Sequence, residues 1–226
     1  MVLVIYLHFQ QELPSDDFHL LLNSVPEVFR NKIMRYRRWQ DSHASLFGKV
    51  LLQMGLSHLG IPLDWNLMRQ SSYGRPFLDL SDASVDFNVS HSSEYVLCAI
   101  SRTTHVGIDV EKIAPTELND FKNQFTEQEW SDINGDDDLN CFYKYWTIKE
   151  AVLKADGRGL NIPLSQISVR DTPVAIGSKR WSVQEIALSK AYSCMLAYEA
   201  ETEPLLVMHQ VSVADLVQYL SNVAPE

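Results

Sequence analysis

The sequence predicts an α+β fold built as two similar halves, and three observations carry that prediction. Short apolar strands of period two alternate with long amphipathic helices of period 3.6 along the 226 residues. The stretch Ile61-Pro62-Leu63-Asp64-Trp65-Asn66-Leu67-Met68-Arg69 aligns without a gap on Ile162-Pro163-Leu164-Ser165-Gln166-Ile167-Ser168-Val169-Arg170, sharing Ile, Pro, Leu and Arg. Each copy also follows a long helix closed by glycine. The halves are expected to be residues 1–112 and 113–226, and a site between them would draw side chains from both.

In the first half, Met1 to Leu7 is apolar enough for a buried strand. It lacks a basic flank and meets His8, Gln10 and Gln11 too soon for a signal peptide. Glu12 to Phe29 reads as a loop and a short helix. Arg30, Lys32, Arg35, Arg37 and Arg38 then concentrate positive charge in a chain whose net charge is -10. A solvated helix face and an anion site are equally good readings of that cluster. Asp41 to Leu59 forms a long amphipathic helix stopped by Gly60-Ile61-Pro62, and Tyr73-Gly74-Arg75-Pro76 is a turn that carries a cation. Asp86 to Ser90 alternates as a strand and delivers Ser90-His91-Ser92-Ser93 to its end. Tyr95 to Ser101 and Val106 to Val110 read as the next strands, and period-two geometry places Asp109 and Glu111 on one face.

In the second half, Thr126 with Glu129 three residues later is a capping box that starts a helix. Gly135-Asp136-Asp137-Asp138 reads as a solvated turn, since it lacks the spacing of a calcium loop. A helix runs from Phe142 until Gly157 and Gly159 stop it. Phe142, Tyr145, Trp146, Val152 and Leu153 make its apolar stripe, with Lys149 near the middle. A buried ammonium is costly unless paired, so Lys149 should meet a carboxylate. Gln166–Arg170, Trp181–Ala187, Cys194–Glu199 and Leu205–Val211 are expected as strands of a second sheet, with a helix over Val213–Leu220 and a frayed tail.

Composition excludes several classes. The acidic net charge argues against a surface that grips nucleic acid, and no run approaches the roughly 20 apolar residues of a membrane span. Cys98, Cys141 and Cys194 are odd in number and widely spaced, which suits free thiols in a reducing, cytoplasmic setting. There is no Gly-rich phosphate loop ending in Lys-Ser/Thr and no Gly-x-Ser-x-Gly elbow, which disfavours P-loop nucleotidases and α/β-hydrolases.

What remains is a constellation. Asp109, Glu111 and Glu150 offer hard oxygen ligands suited to Mg²⁺, with Mn²⁺ as the alternative. Arg75, His91, Lys154 and the basic cluster would complement a polyphosphate. Taken alone, Glu150 and Lys154 would be a surface ion pair of little worth and His91 a structural histidine; their conjunction points to chemistry.

Gly74-Arg75-Pro76, Phe87-Asn88-Val89-Ser90-His91-Ser92, Val106-Gly107-Ile108-Asp109-Val110-Glu111 and Trp146-Thr147-Ile148-Lys149-Glu150-Ala151-Val152-Leu153-Lys154 occur in the order and spacing of the 4'-phosphopantetheinyl transferases. The chain resembles the long, surfactin-synthetase-activating type from its basic cluster to about Leu164. The resemblance implies a monomer with two halves related by a pseudo-two-fold axis, with coenzyme A as co-substrate and Mg²⁺ in the cleft between them. It implies Asp109, Glu111 and Glu150 as metal ligands, with Glu150 and Lys154 as the catalytic residues. Lys32, Gly74, Arg75, Pro76, Asn88, Ser90, His91, Asp109 and Lys154 are implied around the coenzyme.

The implied partner is an apo acyl carrier protein or peptidyl carrier protein of fatty-acid, polyketide or nonribosomal peptide biosynthesis, and the by-product is 3',5'-adenosine bisphosphate. That partner is expected to dock near Phe125–Trp130 and the loop after Gly159. Many relatives carry Arg shortly before the glycine matching Gly48, where this chain has His43-Ala44-Ser45; His43 or nearby arginines are expected to take over its phosphate contact. The alternatives are another Mg²⁺-dependent phosphotransferase or nuclease, or a non-catalytic carrier-protein or anion-binding module.

Overall fold

The computed structural model describes residues 1–80, 85–135, 139–201 and 203–223. The expected aspartate turn at 136–138 and the end of the tail at 224–226 lie outside the described residues. In chain order the elements are β1 (Val2–His8), α1 (Ser15–Asn23), α2 (Glu27–Ile33), α3 (Trp39–His58), β2 (Met68–Gln70), β3 (Pro76–Leu78), β4 (Asp86–Ser92) and β5 (Tyr95–Ser101). They continue as β6 (Val106–Lys112), α4 (Glu127–Asn134), α5 (Asn140–Asp156), β7 (Val174–Ile176), β8 (Lys179–Glu185), β9 (Tyr192–Glu199), β10 (Leu206–Val211) and α6 (Val213–Val223).

Two four-stranded sheets, ordered β10-β1-β5-β4 and β6-β9-β8-β7, form the body of the protein. Within them β1-β5-β4 and β6-β9-β8 are the same antiparallel three-strand unit. One long helix covers each unit, α3 on the first and α5 on the second. This is the internal repeat seen as structure, an α+β unit present twice.

Strand alternation sets the layers. Ile5, Leu7, Phe87, Cys98 and Ile100 face Leu46, Phe47, Val50 and Leu51 of α3. The intervening residues Val2, Val4, Leu97 and Ala99 meet Val106, Ile108, Val110, Cys194 and Leu196 between the two sheets. On the far side Met195, Ala197 and Trp181 pack under Ile148, Ala151, Val152 and Ala155 of α5. All three cysteines are free thiols, and no described helix is long and apolar enough to cross a membrane.

The sheets correct three expectations. Strand β6, placed at the end of the first half, hydrogen-bonds to β9 of the second sheet. Strand β10 leaves the second sheet and runs parallel to β1, from Val2↔Leu206 to Leu7↔Val211. Leu216 and Leu220 of α6 accordingly join the first core. Gln166–Arg170 forms no strand: its backbone is engaged by a buried ion pair instead.

That pair is Lys149 with Glu129, 2.9 Å apart and both 0% exposed. The three Lys149 Nζ protons find three acceptors: Glu129 Oε2, the Leu164 carbonyl at 2.9 Å and the Ile167 carbonyl. Glu129 is the N3 residue of the capping box. Its Oε2 accepts from Thr126 N at 2.8 Å, and its Oε1 from Val169 N at 2.8 Å. Burial alone would raise the Glu129 carboxyl, but the Lys149 ammonium and the two amides hold it below the usual carboxylate range. A segment that reads as apolar and β-prone is thereby held as a 3-10 turn and loop, tying α4 to α5.

Helix α5 lies directly on β6 at Gly107. A Cβ there would stand 2.1 Å from the Ala151 carbonyl oxygen and 2.4 Å from Ala155 N. Both are backbone atoms that no rotamer change can move. Gly107→Ala is therefore expected to lower stability by about 3 kcal/mol, the upper end of overpacking costs, read from the urea midpoint. A midpoint equal to the parent would show that α5 can lift off β6 without penalty.

Candidate active site

Four side chains of β4, spaced by two, form a ladder to the backbone of β6. Asp86 Oδ2 accepts from Val106 N at 2.7 Å and Asn88 Oδ1 from Ile108 N at 2.9 Å. Ser90 Oγ accepts from Val110 N at 3.3 Å, and Ser92 Oγ from Lys112 N at 3.1 Å. The amides of one edge are satisfied by side chains where a neighbouring strand's carbonyls would otherwise serve. The ladder fixes the register of the two sheets, and two of its rungs turn toward acids. Ser90 Oγ donates to Asp109 Oδ1 at 3.2 Å, and Ser92 Oγ to Glu111 Oε2 at 2.9 Å.

Gly107, Asp109 and Glu111 share the β6 face that meets α5. From α5, Lys154 Nζ reaches Asp109 Oδ1 at 2.6 Å, Ser90 Oγ at 3.0 Å and the Ile108 carbonyl at 3.2 Å. Glu150 stands one helical turn before Lys154. Its electrostatic neighbours are Asp109 and Lys154, and it acts in turn on Glu111.

Burial raises the carboxyls of Asp109, Glu111 and Glu150 above their ordinary range; Asp109 raises the other two further, while Lys154 opposes the shift in all three. Asp109 Oδ2 is buried with no hydrogen-bond partner among the described residues. A hard cation suits such a set: three mutually repelling oxygen donors, one with an orphaned lone pair. No three described acid, imidazole or thiol side chains stand close enough to make a finished metal cage. Lys154 and Ser92 each hold one of the acids in its present position.

Beside this centre, His91 extends from the end of β4. Desolvation first, then the Lys154 charge, lowers its pKa; Lys49 adds to the effect and Asp41 opposes it. The helix α2 supplies the exposed Lys32, and Arg35, Arg37 and Arg38 follow it on the surface.

A family profile described as "4'-phosphopantetheinyl transferase, N-terminal" matches residues 13–103, and one described as "4'-phosphopantetheinyl transferase superfamily" matches residues 105–195. The chain is 34% identical over 170 residues to 4'-phosphopantetheinyl transferase Sfp of Bacillus subtilis (strain 168), covering 73% of this chain and 74% of that protein. It is 32% identical over 169 residues to 4'-phosphopantetheinyl transferase gsp of Aneurinibacillus migulanus, covering 73% and 70%. The L-aminoadipate-semialdehyde dehydrogenase-phosphopantetheinyl transferase of Xenopus laevis is 28% identical over 199 residues, covering 74% and 66%. The chain belongs to the 4'-phosphopantetheinyl transferase superfamily. Transferases of this family draw on coenzyme A and act on carrier proteins.

In this transferase, the residues read from sequence fall into two groups. Asp109, Glu111, Glu150, Lys154, Ser90 and His91 come together where β4, β6 and α5 meet. Asn88 is a ladder rung. Arg75 lies at the far end of the ladder, where its guanidinium donates to Asp86 Oδ2 at 2.6 Å, the Val106 carbonyl at 2.9 Å and the Ala155 carbonyl at 2.9 Å. Those contacts lie four strand residues, about 13 Å, from Ser90. They join the turn at Gly74 and Pro76 to both sheets and to the C-terminal end of α5.

His43 does not stand in for the missing arginine. It is buried against the Phe18 ring, its Nε2 accepts from Leu13 N at 3.0 Å and its Nδ1 lies 2.8 Å from the Trp39 carbonyl. Desolvation lowers its pKa, so it is a neutral packing residue.

Sequence reasoning gave Asp86 and Ser92 no role of their own and read Glu129 only as a helix cap. The first two had a readable signal, since Asp86-Asn88-Ser90-Ser92 is an unbroken polar set at period two.

Proposed function

We propose that the protein moves the 4'-phosphopantetheine arm of coenzyme A onto a serine of an apo acyl or peptidyl carrier protein. Asp109, Glu111 and Glu150 hold Mg²⁺ as the third party to that reaction. The observation that carries the metal assignment is the buried Asp109 Oδ2, which has no hydrogen-bond partner among the described residues, on an acid whose charge raises both Glu111 and Glu150. When bound, the cation neutralises pyrophosphate charge and stabilises the departing phosphate.

The protein's own groups divide the remaining work. The carrier serine oxygen forms a bond to the β-phosphorus of coenzyme A, and the bond from that phosphorus to the bridging oxygen breaks. The electron pair leaves with that oxygen on 3',5'-adenosine bisphosphate. Glu150 accepts the serine proton, since it lies on the α5 side of the cleft with no hydrogen bond among the described residues to occupy its oxygens. Lys154, anchored by Asp109 and Ser90, places a fixed positive charge beside the phosphates. No covalent enzyme intermediate is needed.

Docking of the carrier on the second half is part of this reading. Phe125 and Glu129 are buried in the expected docking stretch, so half-buried Trp130 and its exposed neighbours are what that stretch offers a partner.

The test is incubation with coenzyme A, MgCl₂ and an apo carrier protein, following the carrier by intact mass. Modification is expected with Mg²⁺, loss of it with excess EDTA, and recovery on adding back Mg²⁺ or Mn²⁺. Undiminished modification in EDTA would remove the metal from the reading. Binding of coenzyme A with no transfer to any carrier would select a non-catalytic module.

A further inference from the structure

We infer that Ser92 is a positioning residue for the metal site: its hydroxyl holds one oxygen of the Glu111 carboxylate and leaves the other to the cation. The inference rests on the proposed reading of Asp109, Glu111 and Glu150 as metal ligands, and its test separates the two.

The direction of the Ser92 proton follows from its partners. A hydroxyl has one proton to give and two lone pairs to accept with. Lys112 N donates to Ser92 Oγ at 3.1 Å, so the β6 backbone takes a lone pair, and the proton goes to Glu111 Oε2 at 2.9 Å. Both contacts are set by the strand, because Ser92 closes β4 and the ladder fixes its register against β6.

No neighbouring group shares the task. Lys112 extends from the opposite face of β6, where the Glu94 carboxylate takes its Nζ at 3.0 Å and 3.2 Å. Ser193 lies across from Glu111 on β9. Its proton is already spent: Thr147 Oγ1 donates to the Tyr143 carbonyl at 2.8 Å, so the Ser193 hydroxyl donates to Thr147 Oγ1 at 2.8 Å. Among the described residues Glu111 forms no ion pair, and its Oε1 makes no hydrogen bond.

Asp109 is held differently. Ser90 repeats the arrangement two residues earlier, accepting from Val110 N and donating to Asp109 Oδ1, but Lys154 Nζ grips the same Oδ1 at 2.6 Å. Without Ser90, Asp109 would still be held by a cation. Without Ser92, Glu111 would be held by nothing. A neutral donor also orients an anion without cancelling its charge, which suits a carboxylate that is to meet a cation.

The experiment is Mn²⁺ titration of the full chain with saturating coenzyme A, following free Mn²⁺ by electron paramagnetic resonance, for the parent, Ser92→Ala and Ser92→Thr. Removing a hydrogen-bond partner that orients a metal ligand predicts that Ser92→Ala weakens Mn²⁺ binding about tenfold, while Ser92→Thr, which keeps the hydroxyl, stays within about twofold of the parent. Coenzyme A affinity measured calorimetrically in EDTA is expected to be the same for all three, a readout that general loosening of the β4–β6 ladder would move. Equal Mn²⁺ binding by the parent and Ser92→Ala would overturn the inference, as would a matching loss of metal-free coenzyme A binding. Ser92→Thr as weak as Ser92→Ala would assign the effect to packing and overturn it too. Glu111→Gln tests the reading beneath. If that variant binds Mn²⁺ as the parent does, Glu111 is no ligand and the metal reading fails together with the inference; if it loses Mn²⁺ while Ser92→Ala does not, the inference alone falls.

Discussion

Replacing Glu150 with Gln is expected to slow transfer about a thousandfold, because on the proposed mechanism the change removes both the proton acceptor and one of the three anionic metal ligands. The fold should survive it. Glu150 is half-buried, makes no hydrogen bond among the described residues and is raised by burial and by Asp109, so an isosteric neutral amide relieves repulsion. The expected result is a urea midpoint at or above that of the parent, alongside near-complete loss of carrier modification followed by intact mass. Turnover within a few-fold of the parent would remove Glu150 from the proton transfer.

Lys149→Met should do the opposite, a structural loss with no direct contact to the reacting groups. It leaves the Glu129 carboxylate buried without its cation, and breaking one side of such a pair typically costs about 3–5 kcal/mol. The carbonyls of Leu164 and Ile167 lose their donor at the same time. The measurement is the urea unfolding midpoint, compared with that of Lys149→Met/Glu129→Gln. The double variant is expected to recover part of the loss, because a neutral side chain tolerates burial and its carbonyl can still accept one of the two amide hydrogen bonds now made to Glu129. A single variant as stable as the parent would mean that water or another cation reaches Glu129.

What could be read from the sequence was whatever depended on local spacing. The carboxylates of Asp109 and Glu111 share a face because a strand has period two, and the capping box at Thr126 is a four-residue pattern; both appear as expected. The need for a buried partner at Lys149 was also legible, since desolvation demands one. Its identity was not, because Glu129 is brought there by the docking of α4 on α5. Arg75 shows the limit of motif reading: it sits in a turn of the expected kind, yet Asp86 and two distant carbonyls hold its guanidinium. The placement of β10 was out of reach for a related reason. An alternating apolar strand carries no label saying which of two sheets it will join.

That last pairing has a consequence for synthesis of the chain. As the polypeptide emerges from the ribosome, β1 acquires β5 on one side within the first half, but its other side waits for residues 206–211. Until then a strand of Val2, Leu3, Val4 and Ile5 presents an open edge, the kind of surface that pairs with other nascent chains. Val211, Leu216 and Leu220 of the same late segment also complete the core under α1 and α3. The halves repeat each other in shape but do not mature one after the other. The sheet that β1 begins is finished only after the strands of the other sheet have been made, so products cut short before residue 206 are natural clients for chaperones and proteases.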